Sequence, residues 1–249
     1  MNLLFLHGYT QSGPLFSAKT KAVQKALTKS FGPNTTLHFP TGPIKLSPAD
    51  IPGDAIPDDA GDLEAYGWWR RATPTSAYIG LPETFFFLSA YLDTHGPFDG
   101  VVGFSQGAAL AAILAAVLEK GRKRPEEFTT SHPPLKFAVC YSGFRAPEVY
   151  KEWYEPMIET KLLHIIGSLD TVVDEERSLA LAKACVDGDK RTVYHPGGHY
   201  LPAQKPLVNA LIGFILQCVK EENKEENLDL DAMLEGNCRQ LCFSSNGGP

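Results

Sequence analysis

Five consecutive residues, Gly103-Phe104-Ser105-Gln106-Gly107, carry the strongest chemical signal in this chain. A serine with glycine two places away on each side suits a turn so tight that side chains there would collide. The apolar run Gly100-Val101-Val102 precedes the motif, and the alanine-rich run Ala108 to Leu118 follows it. The expected context is therefore strand, sharp turn, helix. Such a turn lifts the serine hydroxyl clear of a sheet and points a helix N-terminus at it. That is the setting for a serine that attacks a carbonyl carbon.

A serine hydroxyl is a weak nucleophile at neutral pH. It needs a base within hydrogen-bond reach, and the base needs an orienting carboxylate. Seven histidines compete for the first role. His38 falls in or beside an expected strand, His95 and His132 precede Gly or Pro turns, and His164 sits mid-strand. His7 ends the first strand, whereas a nucleophile on this kind of turn is followed, last in chain order, by its base. His195 and His199 remain. His195 closes the last expected strand. His199 follows Pro196-Gly197-Gly198, a loop able to carry an imidazole over a sheet rim, and is the chosen base. Asp170 leaves a strand directly, at Gly167-Ser168-Leu169-Asp170, and is the chosen carboxylate. Asp174 is the runner-up and reads as an N-cap for a helix beginning at Glu175. Ser105, Asp170 and His199 then stand in the Ser, Asp, His order of α/β-hydrolases. The oxyanion formed on attack needs preset donors. The backbone N–H of Gln106, at the start of the helix, is one. That of Tyr9, in His7-Gly8-Tyr9 after the first strand, is the other. This chemistry calls for no metal and no cofactor.

These residues must be brought together by the elements between them. Strands are expected at Leu3 to Leu6, Thr36 to Phe39, Gly100 to Phe104, Phe137 to Tyr141, Leu162 to Ile166 and Arg191 to Tyr194. Helices are expected at Phe16 to Thr28, Pro82 to Asp93, the run after Ser105, part of Pro147 to Glu159, Glu175 to Val186 and Pro206 to Lys220. The alternation implies an α/β fold: about six mostly parallel strands with helices on both faces. Ligands of such sheets sit at the carboxyl ends of the strands, where Tyr9, Ser105, Asp170 and His199 all fall. Residues 40 to 80 are rich in Pro, Gly and Asp and read as a lid or acyl-binding loop. Residues 1 to 220 form the expected domain, and 221 to 249 a charged tail whose end has the composition of a disordered segment.

The 249 residues carry a net charge of −6, which argues against nucleic-acid or membrane-surface binding. The basic cluster from Lys120 to Arg124 follows a helix, where cations suit the dipole. Five scattered cysteines read as the reduced thiols of a cytoplasmic protein, and Cys238 and Cys242 lack the companions of a zinc site. No apolar run reaches the length of a membrane span.

Residues 66 to 91 are rich in aromatics. Phe85 to Phe87 read as helix packing, whereas Trp68 and Trp69 lie in the irregular segment and are assigned to substrate binding, lining an acyl pocket. Arg70 and Arg71 could meet a carboxylate or phosphate, with pairing to Asp58, Asp59 or Asp62 the plainer reading.

Four segments together resemble a known family. They are Leu6 to Gly13, Gly96 to Ala108, Gly167 to Asp170, and His195 to His199. The chain resembles the fungal and animal serine hydrolases called the FSH family, which includes the human ovarian-tumour-suppressor candidate hydrolase. The resemblance spans about residues 1 to 220, and the Gly-Pro-Phe-Asp-Gly lead-in to Gly-Phe-Ser-Gln-Gly is its most specific part. It implies a compact α/β-hydrolase that cleaves carboxylic esters or thioesters. It also implies, for some fungal members, release of acyl chains held on the carrier protein of a polyketide synthase. The chain's acidic charge would not attract an acidic carrier, so docking would use a local patch such as Arg122 to Arg124. Two readings from other classes compete with it: a non-catalytic ligand receptor on the same fold, and a structural partner of a synthase.

Overall fold

Side chains alternate across the first strand, β1 (Asn2–Leu6): Leu3 and Phe5 belong to one buried cluster, Leu4 and Leu6 to the other. Successive side chains of a strand point to opposite faces, so a strand apolar at every position is covered on both. Buried apolar side chains of β3 (Gly100–Phe104), β4 (Phe137–Tyr141) and β5 (Lys161–Gly167) divide between the same two clusters. With β2 (Thr36–His38) and β6 (Thr192–His195) these strands form one six-stranded sheet in the order β2-β1-β3-β4-β5-β6. Every neighbouring pair is parallel. These observations come from a computed structural model that describes residues 1–51, 64–73, 75–222 and 224.

Helices cover both faces. Residues of α3 (Leu81–His95), α4 (Gln106–Leu118) and α5 (Glu175–Lys183) share a cluster with Leu4, Leu6, Val101 and Ala138. Phe16 of α1 (Gly13–Lys19), Val23 and Leu27 of α2 (Lys21–Phe31), and Leu211 and Ile215 of α6 (residues 205–222) cover the opposite face. All residues of α4 are buried, which its apolar residues on every side require.

The sequence predicts one helix from Phe16 to Thr28, but the structure has two. Thr20 leaves helical geometry at φ −104°, ψ 11°. Its hydroxyl bonds back to the Phe16 carbonyl at 2.8 Å. A threonine hydroxyl that competes for backbone groups in this way weakens a continuous helix. The described part of the segment from 40 to 80 is also more regular than its composition suggests. Ile44–Lys45 pairs antiparallel with Tyr66–Gly67, and Arg70–Arg71 with Tyr78–Ile79. The expected tail over 221 to 249 lies outside the described residues except at 221, 222 and 224.

The basic cluster after α4 serves the helix. Arg124 donates to the Val117 carbonyl at 3.0 Å, and Arg122 pairs with Glu119 at 2.7 Å. No helix among the described residues is long and apolar enough to cross a membrane. Cys140, Cys185 and Cys218 are buried free thiols; Cys238 and Cys242 lie outside the described residues.

Candidate active site

Ser105 sits between β3 and α4 with φ 55° and ψ −117°, a backbone conformation unusual for a residue with a side chain. The surroundings hold it there. Its N–H donates to the Tyr141 carbonyl of β4 at 2.8 Å, and its carbonyl accepts from Ala108 and Ala109 at 3.0 Å. Both flanking glycines are required sterically. A Cβ on Gly103 would run into the Gly107 backbone, and one on Gly107 into the carbonyls of Leu6 and His7. The strain is local, and the packing of strand ends around it maintains it.

The Ser105 hydroxyl lies 3.0 Å from His199 Nε2. His199 Nδ1 lies 2.7 Å from Asp170 Oδ2. The remaining Asp170 oxygen, Oδ1, accepts the N–H groups of Val172 at 3.0 Å and Val173 at 2.9 Å. Burial would raise the Asp170 pKa, but the hydrogen bonds from His199 and the Val173 N–H outweigh it and hold the carboxyl below its ordinary value. An ionised Asp170 takes the proton side of the imidazole, so Nδ1 donates and Nε2 is left to accept from the serine.

The other histidines are placed elsewhere. His195 is the last residue of β6 and is buried, and its ring packs edge-on against Tyr200. His164 is buried mid-strand in β5. His7 is fully buried; its Nδ1 donates to the Gly8 carbonyl at 2.7 Å and its Nε2 accepts the Gly42 N–H at 2.9 Å. Asp174 is the N-cap of α5, accepting the Arg177 N–H at 2.9 Å.

Tyr9 lies in the turn after β1, where the Gln11 N–H bonds to the Gly8 carbonyl at 3.2 Å. Among the described residues, neither the Tyr9 nor the Gln106 N–H makes another backbone hydrogen bond. Gln106 does more than its position suggested. Its side chain accepts the Trp68 N–H at 2.8 Å and donates to the Trp69 carbonyl at 2.8 Å. The residue beside the serine thus fastens a segment far away in sequence. A buried glutamine immediately after a nucleophile is a readable signal only in retrospect, because its partners are backbone groups without sequence character.

The two tryptophans part company. Trp69 lines a cavity of about 270 Å³ that opens beside Ser105, together with Tyr9, Arg71, Phe144, Val173 and Arg177. Its ring stacks on Tyr78 at 4.4 Å. Trp68, also assigned to substrate binding from the sequence, is not part of that wall. It is fully buried and donates its indole N–H to the His7 carbonyl at 2.9 Å. Its ring packs against the His7 imidazole, 4.9 Å between centroids. A second cavity, of about 280 Å³, is lined by His199 itself together with Phe16, Lys19, Phe104 and Tyr200.

Arg70 pairs with Asp50 at 3.6 Å. The expected partners Asp58, Asp59 and Asp62 lie outside the described residues. Arg177, Phe144 and Val173 were not singled out in the sequence. Arg177 did carry a signal: it stands in the first turn of α5, where the helix dipole disfavours a cation. Among the described residues, no group of three or more His, Cys, Asp or Glu is placed to hold a metal.

Residues 1–211 match the family described as Serine hydrolase (FSH1). The chain is 35% identical over 241 residues to the dihydrofolate reductase of Schizosaccharomyces pombe, a match covering 92% of this chain. The chain spans only half the length of that relative. It is 33% identical to Esterase OVCA2 of Danio rerio over 219 residues, covering 82% of this chain and 91% of that protein. Among solved structures, acyl-protein thioesterase 2 of Zea mays superimposes with a TM-score of 0.59 at 20% identity, over 87% of this chain and 93% of that one. That likeness is one of fold.

Proposed function

This chain belongs to the FSH1 family of serine hydrolases, and on that premise we propose that it cleaves carboxylic esters and thioesters through Ser105, His199 and Asp170. The observation that carries the reading is the unbroken chain Ser105 Oγ, His199, Asp170, with links of 3.0 Å and 2.7 Å. His199 Nε2 takes the serine proton as Oγ attacks the carbonyl carbon. Asp170, ionised, holds the ring and stabilises its charge. The N–H groups of Tyr9 and Gln106 receive the oxyanion. His199 then hands its proton to the leaving alcohol or thiol, an acyl-enzyme remains on Ser105, and water activated by His199 releases the acid.

Proton delivery by His199 requires the leaving group to lie on its side. We therefore assign the leaving group to the cavity bordered by His199, Lys19 and Tyr200, and the acyl group to the one bordered by Trp69 and Phe144. A thiol leaving group borne by a carrier protein, as in polyketide assembly, is the narrower version of this reading. Its support is the family resemblance of the Gly96 to Ala108 segment.

The test compares wild type with Ser105→Ala on p-nitrophenyl esters and acyl-thioesters of rising chain length. Wild type should turn over and the variant should lose about a thousandfold or more. Carrier-bound thioesters as the better substrates would favour the narrower version. Two inert proteins, neither labelled by a fluorophosphonate, would replace the enzyme with a ligand receptor or a scaffold.

A further inference from the structure

The acyl cavity contains two guanidinium groups, Arg71 and Arg177, that form no ion pair with a carboxylate among the described residues. Other arginines nearby are engaged. Arg70 meets Asp50, and Arg145 meets Glu148 at 3.2 Å and Glu155 at 3.7 Å. Asp50 also borders the cavity, but its carboxylate already accepts the Ser47 N–H at 2.9 Å and hydroxyl at 2.7 Å besides facing Arg70.

Arg71 and Arg177 border one cavity without an ion-pair partner among the described residues. Arg177 is half-buried, lies over the Phe144 ring at 4.5 Å, and gives one N–H to the Val172 carbonyl at 3.2 Å. Burial and then the neighbouring Arg71 charge press its pKa below the ordinary arginine value, only partly offset by Asp174, Tyr78 and Asp170. It also stands in the first turn of α5, against the helix dipole. Arg71 comes from a different element, the short strand Arg70–Arg71 that pairs with Tyr78–Ile79. The two share not only the Ser105 cavity but its neighbour, walled by Tyr78, Arg145 and Pro147. Tyr78 is almost wholly buried there, and its hydroxyl has no hydrogen-bond partner among the described residues. Like charges gathered from separate elements, beside an orphaned hydroxyl, are the groups that bind an anion.

We propose that Arg71 and Arg177 form an anion subsite for the acyl group, so that the preferred substrates are esters or thioesters of dicarboxylic acids whose free carboxylate lies between the two guanidiniums. Trp69, Phe144 and Val173 enclose the methylenes between the reacting carbonyl and that carboxylate. The proposal rests on the hydrolase reading above, because it takes Ser105 as the point of attack.

The experiment uses N-acetylcysteamine thioesters of glutaric, adipic and suberic acids, each against the unsubstituted acyl thioester of equal length. Thiol release gives kcat/KM. The acid-ended member of at least one pair should be preferred about tenfold or more, as expected for a charge-assisted pair of hydrogen bonds. Arg71→Gln and Arg177→Met should each pull that ratio towards one. Arg71 is exposed, so its variant tests the proposal even if Arg177→Met does not fold. An anion carried on the thiol of a neutral acyl thioester should bring no preference; if it alone does, the anion belongs to the leaving group and the proposal is wrong. In parallel, glutarate, adipate and suberate should slow fluorophosphonate labelling of Ser105 more than the corresponding monoacids do. A ratio near one in the thioesters, or equal protection by mono- and diacids, overturns the subsite while leaving the hydrolase standing. No turnover together with no labelling overturns the hydrolase, and the subsite falls with it.

Discussion

Gln106 holds Trp68 through the backbone: its Oε1 accepts the Trp68 N–H at 2.8 Å while its Nε2 reaches the Trp69 carbonyl. The residue assigned to one half of the oxyanion site therefore also anchors the segment that walls the acyl cavity. The start of α4 and the Trp69 wall of the cavity beside Ser105 are mechanically linked.

Gln106→Leu keeps the backbone N–H but leaves a buried donor and acceptor unsatisfied. Urea unfolding should show a loss of about 2–6 kcal/mol, since each of the two orphaned buried groups costs about 1–3 kcal/mol. KM should rise more than kcat falls, because the cavity wall is released while the N–H remains. A large fall in kcat with KM unchanged would place the side chain in the chemistry instead.

Trp68 and Trp69 should separate cleanly. Trp68→Phe removes the indole N–H that the His7 carbonyl accepts. It should cost about 1–3 kcal/mol of stability and leave the acyl-chain preference unaltered. Trp69→Ala opens the cavity wall and should shift the preferred chain length. Chain-length profiles of both variants check this.

Asp170→Asn retains an oxygen for the Val172 and Val173 N–H groups, so the loop should stay in place. The amide then faces His199 and favours the wrong tautomer. kcat should fall by about 10³–10⁴ with melting little changed. By contrast, His195→Leu should leave kcat within a few-fold of wild type, since His195 is buried in β6 and makes no hydrogen bond through its ring among the described residues.

Acid should unfold this protein in a histidine-dependent way. Burial lowers both His7 and His164 from the ordinary 6.5 to about 4. Between those values the unfolded chain binds protons that the folded chain refuses. Stability is therefore full above about pH 6.5 and falls as pH drops towards 4, by up to about 3 kcal/mol per histidine. Asp170, whose pKa is also lowered, acts with the same sign at lower pH: its stabilisation is present above the ordinary carboxylate range and disappears as pH falls through its folded value. Urea unfolding of wild type and His164→Leu from pH 7.5 to 4 checks the sign. The variant should have the shallower slope.

Much of this molecule was legible from local pattern. Continuous apolar runs marked β1, β3, β4 and β5, because strands covered on both faces have no polar side to interrupt them. The glycines around Ser105 marked the elbow, because a steric requirement for missing side chains is written directly into residue type. The order of strands and helices put Ser105, Asp170 and His199 on one rim, since parallel strands share their carboxyl end. Loop against strand was enough to prefer His199 to His195.

Contacts between distant backbone groups and side chains left no such mark. Thr20 broke a helix through a hydroxyl bond that helical periodicity does not register. Trp68 and Trp69 had the same type and setting, and only the clamp of Gln106 and the His7 carbonyl decided which ring faces the cavity. Arg71 and Arg177 stand more than a hundred positions apart in the chain. Local sequence sets backbone geometry and burial pattern, each a property of neighbouring residues. The contents of a cavity are set by which loops the closed sheet carries to the same place, and tertiary structure alone decides that.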